Sequence, residues 1–225
     1  MAWGIVVGVL VIMGIFAFFG FIIFKETRTH RFWQEKVEEG DLEMIRQLVE
    51  VEVEHWRTER PPKGIPAAVW QGIQGVEIGE VGRDYIRAST AAESQFAMVG
   101  GERREVTTAL AEAKRITAKL TERFFYDIPH VRVQRVQIDC YSTFHEVAGE
   151  IVQRCILSTL AHRDAAAEID WDNDAPEVIA ERLGARYQTD DRGSALPIEP
   201  DERTVRINPN GAHPDGPGDG LEAGG

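Results

Sequence analysis

The side chains with most chemical potential lie in the second half of a 225-residue chain. Asp170, Asp172 and Asp174 alternate, and Glu181 falls at the twelfth position from Asp170, as carboxylates do around calcium in an EF-hand loop. The sixth position, however, is Ala175 where the sharp turn needs glycine, and the eighth is Glu177 where an apolar residue is usual. Asp174-Ala175-Pro176-Glu177 instead has the form of a capping box with proline in the first turn, so the run reads as a helix start. Cys140 and Cys155 fall on neighbouring strands. With a turn centred between residues 147 and 148 they stand opposite one another. Two buried free thiols are expected there, because a nucleophilic cysteine needs an exposed position and a lowered pKa.

His145-Glu146 opens like the zinc-protease H-E-x-x-H, but Gly149 occupies the place of the second histidine. Asp127 with His130 and His162 with Asp164 are short acid–histidine pairs of a kind that can move protons. Gly72, Gly75, Gly79 and Gly82 match neither G-x-G-x-x-G nor a P-loop, and they read as turns and a bulge beside a strand. Asp139 and Tyr141 share one face of a strand, and with His162 they are the pocket candidates. No complete catalytic constellation emerges, and no catalytic residue, cofactor or metal is assigned.

The elements that must position these groups follow from periodicity. Leu42, Ile45, Leu48, Val49, Val53 and Trp56 recur at steps of three and four behind Asp41, an amphipathic helix ended by Pro61-Pro62. Pro66 opens a short helical turn with Val69 and Trp70. Alternation then predicts strands from Val76 onward and over Tyr85 to Thr90. Gly100-Gly101 between QFAMV and ERREV predicts a tight hairpin. The clearest helix runs from about Thr108 to Tyr126, with Leu110, Ala113, Ile116, Leu120 and Phe124 inward and Glu112, Lys114, Arg115, Lys119 and Glu122 covering the rest. Two strands follow, about Val131 to Thr143 and Glu150 to His162, then a helix ending at Gly184. The expected fold is α+β: a two-layer domain of antiparallel β-hairpins with helices on one face.

Residues Ala2 to Phe24 are unbroken by charge. As a helix at about 1.5 Å per residue they match a hydrocarbon core of about 30 Å. Lys25, Arg28, Arg31 and Lys36 crowd the following flank, which predicts a single-pass span with the N-terminus outside and the rest at the cytoplasmic face of the inner membrane. The organisation expected is an anchor at 1–25, a juxtamembrane helical region at 26–64, an α+β domain at 65–200 and a disordered acidic, Pro- and Gly-rich tail at 201–225.

The chain carries 37 Asp and Glu against 25 Lys and Arg, a net charge of −12, so nucleic acid is not an expected partner. The layout resembles in outline the single-pass accessory subunits of respiratory, photosynthetic or secretion complexes. That implies a non-enzymatic accessory or scaffold subunit whose partners are the bilayer, other integral membrane subunits and, in some settings, a second copy. Gly4 and Gly8 form a G-x-x-x-G pair that suits helix contact, and Phe32, Trp33, Trp56 and Trp70 are the aromatic interface candidates. The alternative expectation is a membrane-tethered enzyme or small-ligand sensor with a pocket between the sheet and its helices.

Overall fold

A computed structural model describes residues 41–145 and 149–200. Helix α1 (Leu42–Thr58) starts where Asp41 accepts hydrogen bonds from the backbone N–H of Glu43 and Met44, and it buries Ile45, Val49, Val53 and Trp56. Helix α2 (Ala67–Gln74) follows Pro66. Strands β1 (Glu77–Val81) and β2 (Tyr85–Ala91) form an antiparallel pair whose register slips between Ile78 and Glu80, at Gly79. A glycine at such a slip is the bulge the sequence suggested.

Strands β3 (Gln95–Val99) and β4 (Glu102–Thr107) make a hairpin of their own. Gly100 and Gly101 join them at φ of 63° and 86°, the left-handed pair that a two-residue turn requires and that only residues like glycine adopt without strain. Helix α3 (Ala109–Tyr126) is capped by the Thr108 side chain, which accepts from the Ala111 N–H. Strands β5 (Arg135–His145) and β6 (Ile151–His162) come next. A short turn of helix, α4 (Arg163–Ala166), helix α5 (Pro176–Arg182) and strands β7 (Arg186–Thr189) and β8 (Ala195–Leu196) complete the chain.

The main sheet has the order β1-β2-β5-β6-β7-β8. β2 and β5 run parallel, Tyr85 beside Arg135 through Ala91 beside Tyr141. The expectation of antiparallel hairpins throughout is therefore corrected to a mixed sheet. A parallel neighbour needs a crossover connection, and α3 supplies it. α3 lies across β5 and β6 and also meets α2 and α5. Its inward residues Ala113, Ile116, Leu120 and Phe124 are fully buried, in one core with Val49, Trp56, Trp70, Ile138 and Leu157. The stretch 41–64 thus shares its core with the rest of the domain.

The expected single-pass architecture is also corrected. Among the described residues no helix is long and apolar enough to cross a membrane. The longest described helix, α3, has 18 residues but carries Glu112, Lys114, Arg115, Lys119, Glu122 and Arg123, too many charges for a hydrocarbon core. Residues 2–24, Gly4, Gly8, Phe32, Trp33 and the expected tail at 201–225 lie outside the described residues.

Helices α2 and α3 approach closely at Gly72. A Cβ built there would run into Ile116 Cδ1 and lie 2.8 Å from its Cγ1. Gly72→Ala should therefore destabilise the domain by about 1–3 kcal/mol of overpacking, despite alanine's advantage of about 1 kcal/mol in a helix. Adding Ile116→Val should recover part of the loss in urea denaturation. A stabilised Gly72→Ala protein would refute the close approach.

Candidate functional site

Asp139 lies in the middle of β5 and is 1% exposed. A carboxylate at that depth needs partners, and the sheet provides them from both neighbouring strands. Arg87 of β2 donates through Nε (3.0 Å) and Nη2 (2.9 Å) to Asp139 Oδ2. Ser158, its register partner on β6, donates to Oδ1 at 2.6 Å, and Gln137 Nε2 lies 3.1 and 3.2 Å from the two oxygens. Burial works against the Arg87 charge, yet the hydrogen bond and attraction of Asp139 win, and the guanidinium titrates above its usual value. Both oxygens of Asp139 are therefore occupied. The group is built as the centre of a buried polar network and has no oxygen free to act as a base.

The other pocket candidates stand away from that centre. Tyr141 is half-buried beside Asp139's network, and burial together with the Asp139 charge raises its phenol pKa. His162 is exposed at the end of β6, paired with Arg135, four positions along the strand from Ser158. Asp139 and Tyr141 are thus neighbours, and His162 does not join them. Asp127 lies 3.4 Å from Arg123, which holds it in an ion pair at the end of α3.

The cysteines do not face each other. The β5–β6 register slips between Cys140 and Tyr141, so that Cys140 pairs with Leu157 and Tyr141 with Cys155. An extra residue at this point turns Cys155 to the face of Tyr141, while Cys140 stays in the core under α3, its Sγ 3.2 Å from Thr117 Oγ1. Both thiols are free and buried, and burial pushes each pKa up to about 12.

The acidic run 170–174 folds as a turn. Asp170 Oδ1 accepts from the N–H groups of Asp172 and Asn173, and the Asn173 amide reaches both Asp170 oxygens, which lowers the Asp170 pKa. Asp174 does not cap α5, as the capping-box reading expected. Ala175 holds the N-cap position, and Asp174 Oδ2 accepts from Asp170 N–H and Arg182 instead. Among the described residues no group of three or more His, Cys, Asp or Glu could hold a metal ion.

Of the aromatic interface candidates, Trp56 and Trp70 are 1% and 2% exposed. Trp56 meets the Phe124 ring edge to face at 5.1 Å, and Arg123 lies over both indoles at 5.2 and 4.8 Å while bonding Glu59 at 2.7 Å. They are spent on holding α1, α2 and α3 together. Among the described residues, four exposed large apolar side chains gather on the β3–β4 hairpin, where Phe96, Met98, Val99 and Val106 are 49%, 70%, 47% and 57% exposed; others, such as Val51 and Ile151, are scattered over α1 and β6. Sequence reasoning found this hairpin but missed that it stands apart from the main sheet. It also took Glu112 for surface cover, although the structure buries it to 2% exposure. The signal was available, because Glu112 lies one turn before Ile116 and borders the apolar stripe.

No protein-family model, curated protein or solved structure matches this chain.

Asp139→Ala should cost about 3–5 kcal/mol, since it strands Arg87 beside a buried cavity; a loss below about 1 kcal/mol in chemical denaturation would show the network to be dispensable. With thiol pKa values of about 12, the thiolate fraction at pH 8 is about 10⁻⁴. Neither cysteine should react with a thiol reagent at that pH until the protein is unfolded, and prompt labelling of the native chain would contradict the burial.

Proposed function

We propose that this chain is a non-enzymatic accessory or scaffold subunit, and that it engages its partner through the β3–β4 arm. One observation carries the reading. A two-stranded ribbon, separate from the main sheet, displays Phe96 and Met98 two positions apart on β3 with Arg103 and Glu105 opposite them on β4. An isolated hairpin is marginally stable in water, and four exposed large apolar residues on so small an element are a cost unless something covers them. Arg103 stacks at 4.3 Å from the Phe96 ring centre on the face of Phe96 and Met98, while Arg104 bonds Glu102 at 3.0 Å on the opposite face beside Val99, so that each face sets charged groups next to exposed apolar ones. Interfaces have that anatomy. The closed network at Asp139 supports the same reading, because the carboxylate with the deepest burial is committed to structure.

The proposal extends to an address at the cytoplasmic face of the inner membrane with integral membrane subunits as partners, for which the support is the basic cluster Lys25, Arg28, Arg31 and Lys36, of a kind drawn to an anionic cytoplasmic leaflet. Fractionation of native membranes tests it directly.

The arm itself is tested by Phe96→Ser with Met98→Ser in the full chain. The thermal midpoint should stay within a few degrees, since neither side chain belongs to the core. Recovery of the co-purifying partner should fall by about tenfold or more, as for loss of interface anchors. Unchanged recovery would remove the arm from the interface, and isolation of the wild-type chain alone would remove the accessory-subunit reading.

A further inference from the structure

A second feature, independent of the arm, is a cavity of about 200 Å³ between α2, α3 and the segment that leaves β2. Ala68, Gly72, Gly75, Ala91, Ala92 and Ile116 give it small apolar walls. Its polar lining comes from Gln71, Thr90, Glu93, Gln95 and Glu112, with no Lys, Arg or His among the lining residues.

Glu112 sets the chemistry. It is 2% exposed, and its Oε1 accepts from Arg115 Nη1 at 2.9 Å. Its Oε2 has no hydrogen-bond partner among the described residues. A buried carboxylate oxygen left this way is costly, and a donor delivered into the cavity removes the cost. Glu93 lines the same space. It is fixed by Ser142 Oγ at 3.2 Å, Thr143 N at 2.9 Å and Thr143 Oγ1 at 2.6 Å, and its carboxylate has lone-pair capacity beyond these three bonds. Arg115 compensates Glu112 from outside the lining, so the space itself presents carboxylate oxygens and no cation, which disfavours an anion. A divalent metal asks for six or more oxygen ligands, and no cluster of acids and histidines suited to one occurs among the described residues. An organic cation with a short apolar body fits both the charge and the walls.

We propose that this cavity binds a primary alkylammonium group, with Glu112 Oε2 as the acceptor that fixes the cation and the small side chains of Ala68, Ala91 and Ala92 lining the room for its aliphatic chain. The group has three donors, matched to Glu112 and to the acceptors beside it. The same chemistry is presented by a free small amine and by a lysine side chain.

Isothermal titration of the full chain with butylammonium chloride tests the assignment. Saturable binding is expected, with no comparable heat from 1-butanol or sodium butyrate. Glu112→Gln keeps an acceptor for Arg115 but places an amide or a neutral oxygen at Oε2, and it should weaken binding by about tenfold or more. Ala68→Leu fills the cavity, retains Glu112, and should abolish binding while the thermal midpoint is kept. Equal binding of 1-butanol, unchanged affinity in Glu112→Gln, or absence of saturation by butylammonium would each overturn the proposal. A parallel titration with Nα-acetyl-lysine methylamide separates the sources: tighter binding than butylammonium assigns the site to a protein lysine, weaker binding to a free amine.

Discussion

Everything in the described domain depends on how α3 is buried. The helix leaves the β3–β4 arm, crosses the sheet and delivers the chain to β5 alongside β2, so its packing fixes the parallel register from Tyr85 beside Arg135 onward. Small residues make the close contact possible: Ala113 and Thr117 are fully buried, and Thr117 Oγ1 meets Cys140 Sγ at 3.2 Å. On its other side α3 receives α2 at Gly72 and reaches α1 through Phe124 against Trp56. Helix and sheet faces so matched must be buried together, because neither is stable in water alone.

That arrangement leaves one face of the sheet to solve a different problem. Gln137, Asp139 and Ser158 are 0%, 1% and 1% exposed, and they satisfy one another with help from Arg87. Such a network specifies register, since a one-residue slip of β5 against β2 or β6 would strand a buried charge. It also closes the most promising acid in the chain to chemistry. The arm keeps a cluster of apolar side chains open, and it is held at its base where Ser94 accepts from the Ala109 N–H at 3.0 Å and Glu93 grips β5. A rigid root with an apolar tip suits contact with another protein better than catalysis.

Much of this was legible in the residues. The stripe Leu110, Ala113, Ile116, Leu120 and Phe124 named the buried face of α3, Asp41 was readable as the N-cap of α1, and Gly100-Gly101 marked the hairpin. What was not legible depends on contacts far apart in sequence. Parallel pairing of β2 with β5 brings together residues about fifty positions apart, such as Arg87 and Asp139, and nothing local encodes it. The register slip at Cys140 and Tyr141 inverts the face assigned to Cys155, because a period of two cannot anticipate an inserted residue. Glu112 escaped because its charge pointed to solvent while its position bordered the core. Trp56 and Trp70 had the composition of interface anchors, but the nearby Arg123 and Phe124 could claim them first.

The most direct measurement is site-specific photo-crosslinking in the native setting, with a photoreactive residue placed at Met98 on the arm and, separately, at exposed Val51 on α1. The expected result is one discrete adduct from Met98, of defined mass and identifiable as another protein, with none from Val51. Adducts of equal yield from both positions, or none from Met98, would contradict a partner-binding arm.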